Sequence, residues 1–253
     1  MIRAEQLVLL SSFLHLTVCF RPQRIMGGEE TTIDDFPFMA GYERWGWMEC
    51  GATIVRDDYA MTAAHCVRGN EKDGEITLRI GTSYRESGGY VVTATKLITH
   101  AGRRAHDIAL IRSERVFPMG EKVKVVTLGK TRLASYVPGT IVGWGKQSGY
   151  EDSPTQMRKT TMQMVARAEC KYAVDFDWET NIEIFYCARP AEEGNDACAG
   201  DSGGPFLVDG RQYGIVSRGQ CTGTLDDRLA FTTIYHYLDW IDTIAGNLTV
   251  PGS

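Results

Sequence analysis

The sequence lacks several features that would indicate particular classes of protein. It carries 27 Lys and Arg against 32 Asp and Glu, a net charge of −5, and it has no basic run. Nucleic acid is not expected as a partner, because binding it requires a basic face. No stretch reaches the roughly 18 consecutive apolar residues of a membrane-spanning helix, so no membrane association is expected. No tract rich in Pro, Gly or Ser suggests a linker between domains.

The longest apolar segment lies near the N-terminus, at Leu7–Phe20, shortly after Arg3. At about 14 residues it is short for a membrane span and suits the core of a secretory signal peptide. A buried N-terminal helix is the alternative. We expect a signal peptide over residues 1–19, with cleavage after Cys19, and a secreted, extracellular product.

The chain has seven cysteines, and removal of the signal peptide takes away Cys19. The even number that remains is what a secreted disulfide framework requires. No two of them have CxxC spacing, so zinc or redox chemistry is weakly indicated, and neither a metal nor a cofactor is expected. Six cysteines allow 15 pairings, and spacing alone does not choose among them. The six are Cys50, Cys66, Cys170, Cys187, Cys198 and Cys221.

Short apolar runs separated by turn residues recur along the body of the chain. Examples of such runs are Ile76–Ile80, Val123–Val126 and Gly139–Val142, and Gly88-Gly89 is one of the turns. Many short strands with turn signals predict an all-β sandwich or barrel. The charged connection at Glu121–Thr131 is a candidate boundary between two β halves.

The C-terminal region differs from the body in its periodicity. Tyr235, Leu238, Ile241 and Ile244 have the spacing of an amphipathic helix, predicted over about residues 235–246. Beyond it, Asn247-Leu248-Thr249 is an N-glycosylation sequon, so we expect a glycoprotein modified at Asn247.

A glycine-rich segment, Asp196–Pro205, reads D-A-C-A-G-D-S-G-G-P. A serine on such a turn can expose its hydroxyl while nearby backbone N–H groups converge on one point, as a nucleophile requires. An ordinary polar turn is the alternative. Two upstream residues favour the catalytic interpretation, since His65 could take the proton of Ser202 and Asp107 could orient that base.

The local sequences around these residues match a known family. At them the sequence resembles the chymotrypsin/trypsin-like serine peptidases, in which the triad also occurs in the order His, Asp, Ser. The matching strings are M-T-A-A-H-C at Met61–Cys66, H-D-I-A-L-I at His106–Ile111, G-W-G at Gly143–Gly145, G-D-S-G-G-P at Gly200–Pro205 and I-M-G-G from Ile25.

The resemblance implies a fold and a disulfide pattern. The fold is all-β, with two six-stranded antiparallel β-barrels, over about residues 25–125 and 126–234, and a C-terminal helix. The peptidase domain would span residues 25–253. The implied disulfides are Cys50–Cys66, Cys170–Cys187 and Cys198–Cys221.

The resemblance also implies catalytic roles. His65 is the general base, Asp107 its orienting partner and Ser202 the nucleophile. The backbone N–H groups of Gly200 and Ser202 form the oxyanion hole. The expected substrates are therefore polypeptides, and protein protease inhibitors are expected as further partners of a monomer.

A zymogen switch is implied at the start of the domain. Residues 20–24 form an activation propeptide, and an activating protease cleaves after Arg24. The new amino group of Ile25 then pairs with Asp201, since a buried carboxylate requires a buried cation.

The resemblance assigns the primary substrate pocket as well. Asp196 forms its floor and predicts cleavage after Arg or Lys, because a carboxylate binds these side chains by charge-assisted contacts. Leu229 falls where the family has a wall glycine, and it could narrow the pocket. A small-apolar or chymotrypsin-like preference, or a non-catalytic homologue that acts as a binding or regulatory module, are the alternatives. The remaining pocket residues are Ala197, Ser217 and Gly219.

Overall fold

The computed structural model describes residues 27–70, 75–101, 106–147, 153–172 and 183–246. Several predictions fall outside these residues and stay predictions. They are the signal peptide at 1–19, the activation segment with Arg24 and Ile25, and the sequon at Asn247. None of the helices in the described part of the chain has the length and apolarity needed to cross a membrane.

The first half of the chain forms a closed antiparallel barrel. Its strands pair in the order β2-β3-β4-β7-β6-β5, and β5 returns to β2. Along β5, alternate side chains are buried, as expected for a strand with one face in a core. The elements are β1 Glu29–Glu30, β2 Met39–Arg44, β3 Trp47–Arg56, β4 Tyr59–Thr62, α1 Ala64–Val67, β5 Ile76–Ile80, β6 Tyr90–Thr99 and β7 Ala109–Ser113.

The second half forms a second closed ring. Its strands pair in the order β9-β10-β11-β14-β13-β12, and β12 pairs back with β9, while β1 pairs with β10 and β8 with β13. The strands are β8 Thr127–Leu128, β9 Pro138–Gly143, β10 Arg158–Met164, β11 Phe185–Pro190, β12 Pro205–Val208, β13 Arg211–Arg218 and β14 Leu229–Thr233. A 3₁₀ turn at Tyr235–Tyr237 leads into the C-terminal helix α2, Leu238–Ala245. The prediction of two six-stranded barrels and a C-terminal helix is confirmed.

One predicted strand is absent from this arrangement. Val123–Val126 belongs to no strand, because its backbone N–H groups donate to separate parts of the chain. Lys124 donates to the carbonyl of Pro37 and Val126 to that of Ile54, at 3.0 and 2.8 Å. The segment is therefore held to the first half of the chain without forming a ladder.

Contacts between the barrels bring their central strands together. The Gly51 N–H donates to the Ser202 carbonyl at 2.8 Å, and the buried Thr53 hydroxyl donates to Gln212 Oε1 at 2.9 Å. The three disulfides are the pairs implied by the resemblance, Cys50–Cys66, Cys170–Cys187 and Cys198–Cys221. The segment that carries Ser202 is thus held against β3 of the other barrel.

Candidate active site

His65 and Asp107 come from neighbouring parts of the first barrel. Strand β4 ends at Thr62 and leads into the single turn α1, which carries His65, while Asp107 lies just before β7. These two strands pair directly, with Thr62 opposite Ala109. The sheet register therefore brings together two residues that are distant in sequence.

The carboxylate of Asp107 holds both the ring and the backbone of His65. The distance between His65 Nδ1 and Asp107 Oδ2 is 2.8 Å, and the His65 backbone N–H donates to Asp107 Oδ1 at 2.8 Å. An ionised carboxylate only accepts hydrogen bonds, so Nδ1 carries the proton and Nε2 is left as the basic nitrogen. The His65 side chain is 41% exposed and the Asp107 side chain 2% exposed.

The surroundings of Asp107 keep its carboxyl group ionised. Burial by itself raises the pKa of Asp107, but the hydrogen bond and charge of His65 and the hydrogen bond from Ser217 outweigh it, so the pKa lies below its usual value. Ser217 Oγ donates to Oδ2 at 2.6 Å, and the Thr232 hydroxyl donates to the Asp107 carbonyl at 2.9 Å. Asp107 is thus fixed from the second barrel as well.

Ser202 lies on a tight turn packed against the segment that carries His65. Gly203 has a φ of +82°, and a Cβ there would overlap the Thr62 hydroxyl and the Gly51 carbonyl oxygen. The Gly203 N–H donates to the Val216 carbonyl at 2.8 Å. Glycine is therefore required beside Ser202, because the turn fits directly against the residues that lead into α1.

The same turn leaves two N–H groups without backbone partners. Among the described residues, no carbonyl accepts from the N–H of Gly200 or of Ser202. Gly200 has a φ of +102°, and a Cβ there would lie 3.1 Å from Gly145 Cα. Free N–H groups next to a serine hydroxyl are donors of the kind that an oxyanion needs.

Asp201 points away from the turn into the second barrel. It is 2% exposed, and its carboxylate accepts N–H bonds from Gly145 at 2.8 Å and Cys198 at 2.9 Å. Burial raises the pKa of Asp201 to about 6 against these two bonds. The ion pairs found within the described residues include none at Asp201. A buried carboxyl group of this kind is ready to accept a cation.

The predicted pocket floor is buried beside a second carboxyl group. Asp196 is 1% exposed and accepts N–H bonds from Ala197 at 2.8 Å and Gly223 at 3.2 Å. Burial and a hydrogen bond with Asp227 raise the pKa of Asp196 to about 7. Burial opposes ionisation of Asp227 too, but hydrogen bonds from Thr222, Asp196 and Arg228 lower its pKa. The pKa values of the two carboxyl groups therefore shift in opposite directions, that of Asp196 upward and that of Asp227 downward.

The two predicted pocket walls touch each other. Leu229 is 2% exposed, and a Cβ on Gly219 would overlap its Cδ1 methyl group. Ala197 packs with Leu229 in the same buried apolar cluster. Ser217 differs from the other predicted pocket residues, since its hydroxyl bonds to Asp107.

Sequence reasoning missed several residues around the triad. Thr232 and Tyr237 surround Asp107 from β14 and the 3₁₀ turn, and Tyr237 Oη also lies 2.9 Å from His106 Nδ1. Burial and the charge of Asp107 raise the pKa of Tyr237. Asp227 was missed beside Asp196. The predicted apolar face included Tyr235, but Tyr235 is 52% exposed and Tyr237 is buried instead.

The described residues offer no free metal site at the triad. The one group there whose potential ligand atoms lie within 4.8 Å of one another is Cys50, His65 and Cys66. The two sulfurs are bonded to each other, so neither is a thiolate that could bind a metal.

Comparisons with known proteins agree with this geometry. The sequence profile of the family described as Trypsin matches residues 25–241. The chain is 34% identical to trypsin delta of Drosophila erecta over 78% of this chain and 79% of that protein, and 33% identical to trypsin alpha-4 of Lucilia cuprina over 78% and 77%. A solved structure of neuropsin, a serine protease expressed in the limbic system of mouse brain, superposes with a TM-score of 0.77 at 28% identity, over 86% of this chain and 98% of that one.

Proposed function

The chain belongs to the trypsin family of serine proteases, and from this membership we propose that it is a secreted serine endopeptidase made as a zymogen. The observation that carries the proposal is the pairing of His65 with Asp107 at 2.8 Å, beside the turn of Ser202. A base with a fixed tautomer, on a turn that packs against the turn of a partly exposed serine, is the arrangement that acyl transfer requires.

In the proposed reaction, Ser202 Oγ attacks the scissile carbonyl carbon and His65 Nε2 takes the hydroxyl proton. Asp107 stays ionised and stabilises the imidazolium that forms. The N–H groups of Gly200 and Ser202 bind the oxyanion of the tetrahedral intermediate. His65 then protonates the leaving amine, which departs and leaves an acyl-enzyme. Water, activated by the same histidine, hydrolyses the ester and regenerates Ser202.

The zymogen proposal rests on Asp201. Among the described residues, the hydrogen bonds to its buried carboxyl group all come from backbone N–H groups. Gly27 packs directly against Asn195, which lies in the loop that leads to Asp201. That contact places the start of the described chain against this loop. Cleavage after Arg24 by an activating protease would free the Ile25 amino group, a cation two residues before Gly27. Its ion pair with Asp201 would order the turn that holds Gly200 and Ser202.

Secretion is proposed from the N-terminal segment and the three disulfides. Disulfides persist in oxidising compartments, so their presence supports export of the chain. Polypeptides are the substrates that the family implies. Modification at Asn247, inhibition by protease inhibitor proteins and a monomeric state remain proposals of the same kind.

Two preferences compete for the residue that precedes the cleaved bond. Asp196 at the pocket base favours Arg or Lys, the preference predicted from the sequence. The contact between Leu229 and Gly219 favours a short apolar side chain instead. The proposed catalytic chemistry is the same for both.

The test of the proposed activity is covalent labelling of Ser202. The chain is expressed without residues 1–19 and with an enteropeptidase site in place of residues 20–24, so that cleavage leaves Ile25 at the N-terminus. Diisopropyl fluorophosphate, which is small enough to react whatever the pocket binds, should then modify Ser202, as located by peptide mass spectrometry. The Ser202→Ala variant is the matched control. A cleaved, folded chain that is not labelled would be the non-catalytic homologue.

A further inference from the structure

We propose that Leu229 closes the primary pocket above Asp196, so that this protease cleaves after residues with short uncharged side chains and excludes Arg and Lys. This inference rests on the proposed function, because it concerns the substrate of that same site. It assigns Leu229 as the residue that determines specificity and Asp196 as a buried structural acid.

The closure follows from where Leu229 lies in the sheet. It is the first residue of β14, which pairs with β13, and Arg218 lies opposite Ala230. Gly219 continues directly from β13, so Leu229 and Gly219 come from adjacent chain segments. A Cβ on Gly219 would overlap the Leu229 methyl group. The leucine therefore occupies the space that a side chain at position 219 would fill.

Leu229 is packed and does not extend into solvent. It is 2% exposed and belongs to an apolar cluster with Ala197 and Val216. Displacing a packed leucine would forfeit the burial of its side chain. A guanidinium or ammonium group could reach Asp196 only after such a displacement.

Asp196 has the environment of a structural carboxyl group. It is 1% exposed, and both of its oxygens accept backbone N–H groups, those of Ala197 and Gly223. The neighbouring Asp227 and the burial raise the pKa of Asp196 to about 7, so a large share of the group is neutral at that pH. A neutral, shielded acid provides little of the charge attraction that binding Arg or Lys requires.

In the proposed arrangement, only the part of the pocket outside Leu229 is left for the substrate, and only a short side chain fits there. Ser217 lies on β13, two residues before Gly219. Its hydroxyl donates to Asp107, so the closure by Leu229 does not involve this hydrogen bond. The triad is therefore intact in a protease whose pocket is shallow. Alanine is the side chain that best fits a shallow apolar recess, because it buries its methyl group without reaching the leucine.

The first measurement is kcat/KM for a matched series of peptides that differ only in the residue before the cleaved bond. We expect Ala to exceed Arg and Lys by at least about 100-fold, since a blocked pocket rejects long side chains sterically. Leu229→Gly should reverse this order, and Leu229→Met, which keeps the volume, should not. Adding Asp196→Asn to Leu229→Gly should abolish the new cleavage after Arg.

A binding measurement keeps the inference testable without turnover. p-Aminobenzamidine is a flat cation that mimics an arginine side chain, and its fluorescence reports entry into an apolar pocket. We expect no saturable binding to the wild-type enzyme and binding to Leu229→Gly. If the Leu229→Gly variant does not fold, the wild-type peptide series and the wild-type binding measurement are sufficient to test the closure of the pocket.

The outcomes separate this inference from the proposed function. A wild-type enzyme that diisopropyl fluorophosphate does not label contradicts the proposed function. An enzyme that is labelled but prefers Arg or Lys, or binds p-aminobenzamidine, overturns the closure by Leu229 and leaves the proposed function standing. A labelled enzyme that cleaves after neither Ala nor Arg also overturns it.

Discussion

Asp107 holds His65 by two hydrogen bonds of 2.8 Å, one to the ring Nδ1 and one to the backbone N–H. A single carboxylate thus sets both the tautomer of the imidazole and the position of the turn that carries it. Since the ring and its backbone share one anchor, a change at Asp107 affects the base in two ways. This relationship leads to the first prediction.

Replacing Asp107 by Asn should lower kcat by about 10⁴-fold, because an amide NH₂ next to Nδ1 favours the wrong tautomer of His65. Steady-state hydrolysis of the best peptide substrate measures the change. Ser217→Ala is the matched comparison, since it removes one hydrogen bond to the same carboxylate and should cost only about 10-fold. Equal losses in the two variants would argue against a tautomer-setting role for Asp107.

Activation should depend on the bond between Arg24 and Ile25. The uncleaved precursor, with the native sequence there, should react with diisopropyl fluorophosphate at least about 100-fold more slowly than the cleaved enzyme, because Asp201 lacks its cation. Arg24→Gln should block activation by a protease that cleaves after Arg, and N-terminal sequencing should find Ile25 only in the active product. A precursor as reactive as the cleaved enzyme would contradict the zymogen proposal.

The stability of the precursor should fall as pH rises through about 6, where Asp201 ionises in the folded protein. A carboxyl group whose folded pKa is raised contributes stability that is fully present below its unfolded pKa of about 3.9 and is lost as pH rises through the folded value. Between pH 4 and pH 8 the loss is roughly 3 kcal/mol.

The control for this prediction is the same measurement on Asp201→Asn, by urea denaturation at several pH values. The constant cost of the amide cancels when each variant is compared with itself across pH. The wild-type precursor should lose about 3 kcal/mol more than the variant between pH 4 and pH 8. Parallel pH profiles would show that Asp201 does not titrate in this range.

Gly203→Ala should destabilise the protein by at least about 3 kcal/mol, since the added Cβ overlaps the Thr62 hydroxyl and the Gly51 carbonyl oxygen. Gly210→Ala is a matched control, because Gly210 has a similar φ of +71° but no atoms within 4 Å of its Cβ position. It should cost only about 1 kcal/mol, the strain of a left-handed backbone. Urea denaturation measures the loss of unfolding free energy in each variant. Equal losses would mean that the space around the Gly203 Cβ position can accommodate a methyl group.

The C-terminal helix and most strands could be predicted from local patterns alone. The periodicity from Tyr235 to Ile244 indicates an amphipathic helix, and the alternation in Ile76–Ile80 indicates a strand, because each pattern reflects burial of one face. Val123–Val126 has an equally good strand pattern but joins no ladder, because its N–H groups donate to separate segments of the first half. Val123 and Val126 are buried but Val125 is 44% exposed, and only the tertiary structure sets the hydrogen-bond partners of the segment.

The sequence by itself determined the family and the candidate triad, and the resemblance to that family implied the two-barrel architecture. His65, Asp107 and Ser202 lie in strings whose chemistry is local: a glycine-rich turn for the nucleophile, a base, and an acid that opens a buried strand. Each requirement is met by residues that are adjacent in the sequence. The order of the three local sequences along the chain excludes other families with the same chemistry.

The tertiary structure alone decided what surrounds those residues. Ser217 and Thr232 reach Asp107 from the second barrel, Asp227 lies beside Asp196, and Leu229 packs onto Gly219. Each of these contacts joins segments that are far apart in sequence or depends on the direction of one side chain. Such contacts are set by how the two barrels and their loops pack, and for that reason the pocket could not be settled from the chain alone.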